Sequence, residues 1–379
     1  MSERAAIVGY AQTKYEPAKA QHITEMVFEA VRAALDHAGI GVKEIDNVVS
    51  CSQDFLDGRT ISNRTIPEVE GAYLKSEAKV AADGTQAVVF GALRILSGKY
   101  KTTLVLAHCK MSEGAQNLIA NAMHDPLYTR DLGLDDVSVA ALQARAYLEK
   151  HKLPEKAMAV AAAHSLNNAA KNPLTHRKLK GGPGQVMKSP LLASPIRELM
   201  AMPVSDGACA LVLAHESVAA KYTNQPVWIA GFGISTDSYY LGERDLASLP
   251  PLREAAARAY RMAGIQDAAK EVELIELTDY FAHQSLMTVE ALGFAAPGEG
   301  VELFASGQAA RDGALPVNPS GGVLGGNPLC VAGMTRVIEC AKQIRGEAGK
   351  TQAGAPKIAL AQGGWGPAGQ SQCVVVLGR

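Results

Sequence analysis

The sequence predicts an α/β protein built from two similar halves, the first of them interrupted by an insertion. Three observations predict it. Short apolar strands alternate with helical runs along the chain, the pattern of layered α/β architecture. The series of elements in the first part recurs in the same order in the second. A long stretch, roughly 112–195, breaks into the first series.

The elements justify themselves in order. AAIVGY (Ala5 to Tyr10) reads as a buried strand. Residues 23–38, ITEMVFEAVRAALDHA, carry apolar side chains at helical spacing, and Gly39 is placed to cap the helix in the left-handed conformation. IDNVVSC (Ile45 to Cys51) is a second strand. Residues 83–97, DGTQAVVFGALRILS, form a helix apolar on all sides, which predicts burial. TLVLA (Thr103 to Ala107) is a third strand. The second half repeats this: VWIAGFG from Val227, REAAARAYRMAGI from Arg253, VELIEL from Val272, the helix after Asn327, and KIALAQ from Lys357. CALVLA (Cys209 to Ala214) pairs with CVVVLG (Cys373 to Gly378) in the same way. Repetition in series argues for internal duplication. It predicts parallel α/β layers with one buried central helix per half, starting near Asp83 and Asn327. The expected units are 1–111 with 196–222, the insertion 112–195, and 223–379.

The insertion holds two helical runs, ALQARAYLEKHK and EKAMAVAAAHSLNNAAK, then a Lys/Gly loop, THRKLKGGPGQVMK. Loops of this length in compact domains are usually functional. Arg177, Lys178, Lys180 and Lys188 are candidate phosphate contacts there, against a solvated surface loop as the plain alternative.

Composition bounds the function. The chain has 379 residues, 47% hydrophobic and 20% charged, with net charge -1. That is an ordinary globular balance with no electrostatic case for nucleic acid or an anionic membrane. No apolar run spans a bilayer, and no basic-plus-apolar leader is read at the start. The six cysteines are scattered without a C-x-x-C pair, so a reduced, cytoplasmic protein is expected. No metal-ligand spacing is present, and no bound cofactor is expected.

The chemistry-bearing stretch is VNPSGGVLGGNPLCVAGMTR, Val317 to Arg336. A Gly-rich turn leading into a helix can present backbone N–H groups and a positive dipole end to a developing negative charge. A tight turn beside a closely packed helix explains the same residues.

Taken together, several segments resemble the thiolase superfamily, and within it the sterol-carrier-protein type of thiolase-like protein, over nearly the whole chain. They are AAIVGYAQT, the run around Gly91 closing in Ser97-Gly98, Lys110-Met111-Ser112, and Ser205-Asp206-Gly207-Ala208. To these add Glu276 to Phe281 (ELTDYF), Glu290-Ala291-Leu292-Gly293, Val317 to Gly326, and Gly363-Gly364. The resemblance implies a thiolase fold, a duplicated five-layer α-β-α-β-α arrangement with an insertion (loop) domain over the active site. It also implies acyl-CoA substrates, coenzyme A entering as part of the substrate, and a homodimer.

The departures from the family pattern redirect the chemistry. The family's nucleophilic Cys position falls on Ala81, its G-H-P histidine on Asn327, and its C-terminal Cys on Ala361 of Ala-Gln-Gly. The sterol-carrier type has His-Asp-Cys-Phe where this chain has Thr278-Asp279-Tyr280-Phe281. Thiolysis needs a thiolate and a base to raise it. Aldol cleavage of a β-hydroxyacyl-CoA needs only a base for the hydroxyl proton and donors for the departing enolate. Thiolase-like retro-aldolases set the family precedent, though their tyrosines would fall at Thr278 and near Pro328.

The candidates follow. Tyr280 offers a phenol for proton transfer, or a buried structural hydroxyl. Asn327 offers an amide donor to an oxyanion, or a helix cap. His283 offers a base, or a satisfied core histidine. Asp83 offers a cap, a base, or both. Gly326, Gly363 and Gly364 are the oxyanion-loop positions. Cys330 offers a relocated acid/base, or a small core residue. Asp279 is expected to orient a loop. The leading expectation is aldol-type C–C cleavage without a Cys nucleophile. The alternatives are a thiolytic β-ketoacyl-CoA acyltransferase with a relocated Cys, and a non-catalytic subunit scaffolding an active partner. Family members without the full triad pair with a small zinc-ribbon plus OB-fold protein, so such a partner is expected here.

Overall fold

The computed structural model describes residues 3–58 and 60–379. The strands are β1 (Ala5–Gln12), β2 (Asn47–Cys51), β3 (Ser76–Val80), β4 (Thr102–Lys110), β5 (Leu191–Ala193), β6 (Ile196–Arg197), β7 (Asp206–His215), β8 (Val227–Thr236), β9 (Leu274–Glu276), β10 (Ile358–Trp365) and β11 (Ser371–Gly378). The helices of the first half are α1 (Ile23–Ala38), α2 (Asp54–Asp57) and α3 (Gly84–Leu96). The insertion carries α4 (Gln116–Ala122), α5 (Asp136–His151), α6 (Lys156–Ala169) and α7 (Pro183–Val186), and α8 (Glu216–Tyr222) follows β7. The second half carries α9 (Pro250–Ala263), α10 (Ala268–Glu271), α11 (Ala282–Ala291), α12 (Gly300–Ala305) and α13 (Ala332–Arg345).

Among the described residues the main sheet runs β3-β2-β4-β7-β1-β8-β11-β10-β9. The duplication is visible in it. β2, β4, β7 and β1 occupy the places that β9, β10, β11 and β8 occupy in the other half, and the halves join where β1 meets β8 antiparallel. The sheet is mixed rather than parallel as expected. β2 is parallel to β3 and β4, and β10 to β9, but β4–β7, β1–β7, β8–β11 and β10–β11 are antiparallel. β11 follows β10 through a short turn, so the parallel rule does not reach it, and β7 returns antiparallel beside β4 only after the helices of the insertion.

Five layers result. α1 covers one face of the first half-sheet, with Ala30, Ala34 and Leu35 against Val8 and Val212. α3 and α13 lie between the half-sheets, where Val88, Ala92, Met334 and Ile338 meet Val105, Leu211, Ala361 and Val375. α9 and α11 cover the far face, and α5 and α6 of the insertion extend that core. Gly39 caps α1 with φ 66° and donates to Asp36, as the sequence indicates. The expectation of full burial for α3 needs correction. Phe90 and Leu93 are 38% and 47% exposed, so one apolar face of this central helix is uncovered in the single chain.

Candidate active site

The centre of the molecule is where α3 and α13 begin. Asp83 is the N-cap of α3: its Oδ1 accepts the Thr85 amide at 2.9 Å and the Thr85 hydroxyl. Its Oδ2 accepts the amide of Gly333, in the first turn of α13, at 3.0 Å. One carboxylate thus serves the orphan donors of both central helices. Two glycines make room for it. A Cβ on Gly333 would lie 1.8 Å from Asp83 Oδ1, and one on Gly363 would lie 2.1 Å from both that atom and Thr85 Oγ1. Burial pushes the Asp83 carboxyl up to about 6, against the hydrogen bonds from Thr85, Gly333 and Gly84 that pull it down.

Tyr280 follows β9 and reaches this carboxylate. Its hydroxyl lies 3.0 Å from the Gly364 carbonyl and 3.4 Å from Asp83 Oδ2. Burial, and then the charge of Asp83, raise the phenol well above its ordinary range, so it stands neutral. Tyr280 and Gly364 also line a cavity that opens to solvent. Asp83 lies behind Tyr280, fully buried. Beside them, Gln362 Oε1 accepts the Thr278 amide at 3.0 Å while Gln362 Nε2 donates to Gln372 Oε1 at 2.7 Å. All three residues face the cavity. The geometry therefore offers a proton path from cavity to carboxylate, Tyr280 to Asp83, in largely apolar surroundings.

The other sequence candidates fall elsewhere. Ala81 is exposed, two residues before the Asp83 cap. Asn327 is buried: its amide nitrogen meets the thioether of Met202 at 2.9 Å, its backbone N–H donates to Ser205 Oγ at 2.8 Å, and its Oδ1 has no partner among the described residues. Met202 lines the cavity, so Asn327 stands one side chain behind the wall. His176, missed in the sequence reading, completes this chain at 2.8 Å from Ser205 Oγ. The helix expected to start at Asn327 begins only at Ala332, after a short 3₁₀ turn at Leu329–Val331.

His283 is set apart from the cavity. It faces α5, where Nε2 pairs with Gln143 Oε1 at 3.0 Å, and burial drops it to about 3, which keeps it neutral. Cys330 is equally unsuited to ionise. It is buried against Cys109 and Cys51, whose thiols and the loss of water hold its own well above the usual range. Lys178 and Lys180 are exposed on the surface, whereas Arg177 is committed to the carbonyls of Ala201 (2.6 Å) and Glu198.

The Gly-rich stretch is closely packed against its neighbours. Gly321 has φ 101°, and a Cβ there would lie 2.4 Å from the Ala169 backbone. A Cβ on Gly325 would meet the Ala169 side chain at 2.7 Å, and one on Gly326 would meet Tyr15 at 3.3 Å. Asp279 holds the stretch: it accepts Val323 N and Ser165 Oγ, each at 2.7 Å. Glu276 holds it further through Ser320 and Arg336. Of the three glycines expected at the oxyanion loop, Gly364 lines the cavity, Gly363 makes room for Asp83, and Gly326 does neither.

Among the described residues, no group of three or more His, Cys, Asp or Glu is arranged to hold a metal ion. Nor is any helix among them long and apolar enough to cross a membrane.

Two half-sheets, two central helices starting at one carboxylate and an insertion bordering the adjoining cavity define an α/β protein of thiolase architecture. A model of the thiolase N-terminal domain matches residues 5–178, and one described as thiolase C-terminal domain-like matches 233–379. The chain belongs to the thiolase family. An acetyl-CoA acetyltransferase of Methanocaldococcus jannaschii is 30% identical over 353 residues, 90% of this chain and 89% of that protein. Sterol carrier protein 2 of Homo sapiens is 27% identical over 380 residues, 94% and 69% of the two chains. The solved structure of an Ltp2-ChsH2(DUF35) aldolase superposes with a TM-score of 0.83 at 22% identity, covering 99% of this chain and 97% of that one. The family's enzymes use CoA substrates without a further cofactor.

Proposed function

We propose that this protein is an acyl-CoA C–C bond enzyme that works without a Cys nucleophile, by aldol-type cleavage of a β-hydroxyacyl-CoA. The carrying observation is Tyr280: the residue lines the cavity, and its hydroxyl lies 3.0 Å from the Gly364 carbonyl and 3.4 Å from Asp83 Oδ2. A carboxyl near 6 is mostly ionised at neutral pH and more basic than an ordinary carboxylate, a good match for a general base. In the cleavage, the substrate β-hydroxyl gives its proton to Tyr280 Oη as the phenol passes its own to Asp83. The Cα–Cβ bond breaks, an aldehyde or ketone forms at Cβ, and the electron pair moves into the thioester enolate. The relay returns the proton to Cα, releasing the shorter acyl-CoA. Asn327, whose amide nitrogen is matched only with the weak acceptor Met202 Sδ, lies behind the cavity wall and would reach the enolate oxygen only if Met202 moved aside.

The names of the relatives favour a second reading, a thiolytic β-ketoacyl-CoA acyltransferase. One experiment separates the two. The purified chain is given β-hydroxyacyl-CoA alone, and β-ketoacyl-CoA with free CoA. Carbonyl product from the first and none from the second supports the aldol reading; chain-shortened thioesters only from the second reverses it. An inert chain would favour a scaffolding subunit.

We further propose a homodimer, supported by the open edge of β3 and the uncovered Phe90 and Leu93 of α3. A small zinc-ribbon/OB-fold partner remains part of this reading, since the aldolase of similar fold is named with a second component.

A further inference from the structure

Asp136 stands in the cavity wall without a protein partner. It opens α5, but it is not the cap. Its neighbour Asp135 takes that role, accepting Ser138 N and Ser138 Oγ, each at 2.8 Å. Among the described residues no hydrogen bond or ion pair reaches the Asp136 carboxylate. Asp136 and Ala140, one turn apart on the same face, both line the cavity. Gln143, the next residue on that face, donates to the carbonyl of Ala368, itself part of the cavity wall, at 3.0 Å. Ala140 is small and leaves open space one turn along from the carboxylate. α4 is tied to the chain just before α5 by Asn121, which donates to the carbonyls of Leu134 (2.9 Å) and Arg130 (3.0 Å). From α4 come Ile119, Ala120 and the adjoining Met123, an apolar part of the same wall. Loss of water, with the nearby charge of Asp135 second, raises Asp136 to about 6.

Asp136 is half-buried, so its carboxylate has water but no protein donor among the described residues. An alkyl chain filling the cavity would strip its remaining water and return nothing, which is costly for a charged group. A chain carrying a hydroxyl would restore the lost hydrogen bond. Sites built to hydrogen-bond a substrate group reject analogues that lack it far more strongly than apolar pockets reject a missing methylene.

We infer that Asp136 is a specificity residue that accepts a hydrogen bond from a hydroxyl on the acyl chain, distinct from the β-hydroxyl served by Tyr280 and Asp83. The inference rests on the reading that this cavity takes an acyl-CoA. It narrows the substrate class to acyl thioesters hydroxylated further along the chain. Asp136 makes no proton transfer in the cleavage.

The test is calorimetric binding of octanoyl-CoA and of its 5-, 6-, 7- and 8-hydroxy isomers to wild type, Asp136→Asn and Asp136→Leu. In wild type, at least one hydroxy isomer binds about tenfold or more tighter than octanoyl-CoA. Asp136→Leu abolishes that preference and binds octanoyl-CoA more tightly than wild type does, a gain that a merely structural residue would not produce. Asp136→Asn, an uncharged acceptor, keeps part of the preference, and it carries the comparison if the Leu variant does not fold. Equal binding of all five thioesters by wild type, or a preference that survives in Asp136→Leu, overturns the assignment alone. Binding of no thioester overturns the acyl-CoA reading of the cavity and this assignment with it.

Discussion

Asp83 Oδ2 accepts the backbone amide of Gly333 across 250 residues of sequence, at 3.0 Å. The same carboxylate caps its own helix at Thr85. Asp83→Ala therefore removes two caps at once and should cost about 2 kcal/mol or more, since a single N-cap contributes about 1. Asp83→Asn keeps an acceptor and should cost less, yet abolish cleavage. Urea denaturation beside a turnover assay separates the two effects; equal stability loss in both variants would refute the double cap.

The pH dependence has a definite sign. Asp83 stands at about 6 when folded, above its ordinary 3.8. The folded state thus holds this proton more tightly than the unfolded state does. As pH rises from roughly 4 to 6, the unfolded chain releases it first, and stability relative to Asp83→Asn falls, levelling off above that window. Activity runs the other way. With Asp83 as base, kcat/KM should climb with pH through about 6. A pH–rate profile of wild type, read against the denaturation series, checks both limbs.

Tyr280→Phe deletes the hydroxyl that links cavity and carboxylate. A loss of about 10²-fold or more in kcat is expected, with KM little changed, because the phenol acts in proton transfer rather than in binding. The orphaned Gly364 carbonyl should cost about 1 kcal/mol of stability. Steady-state kinetics that moved KM alone would remove Tyr280 from the relay.

All six cysteines are buried and unbonded. Iodoacetamide should leave native activity intact and add no mass, whereas in denaturant it should add six adducts. Inactivation in step with a single native adduct would restore the thiolytic reading.

Gly363→Ala places a methyl 2.1 Å from Asp83 Oδ1 and Thr85 Oγ1. Neither neighbour can retreat without breaking a cap. A loss of about 1–3 kcal/mol is expected from overpacking, visible as a lowered melting temperature. Gly182→Ala, with nothing within 4 Å, is the matched control.

The local signals in the sequence were the dependable ones. Gly39 as a left-handed cap, the strand at Ala5 and the cap at Asp83 each depend on neighbours a few residues away, and each is as read. The long-range pairings were not legible. Nothing local indicates that Asp83 also serves Gly333, or that Tyr280, 197 residues further on, comes to rest against it. His283 is close in sequence to Tyr280, but α11 starts at Ala282 and turns it toward α5. The glycines of 321–326 looked like ligand chemistry because a glycine that admits Ala169 and one that admits a phosphate are identical in sequence. Asp136 was hidden for the opposite reason, since an Asp-Asp pair before a helix reads as capping, and only the fold shows that one of the two is spare.

The shared cap at Asp83 also bears on the ancestry of the chain. Two equivalent halves would each begin with a helix that supplies its own capping side chain. Here the second has given up that independence, and its first turn depends on a residue inherited by the other copy. A break in the polypeptide between β7 and β8 would leave the downstream fragment with an exposed amide and a glycine-lined hole shaped for a carboxylate it does not encode. The halves are repeats in outline, yet the start of the second central helix is completed by a side chain of the first.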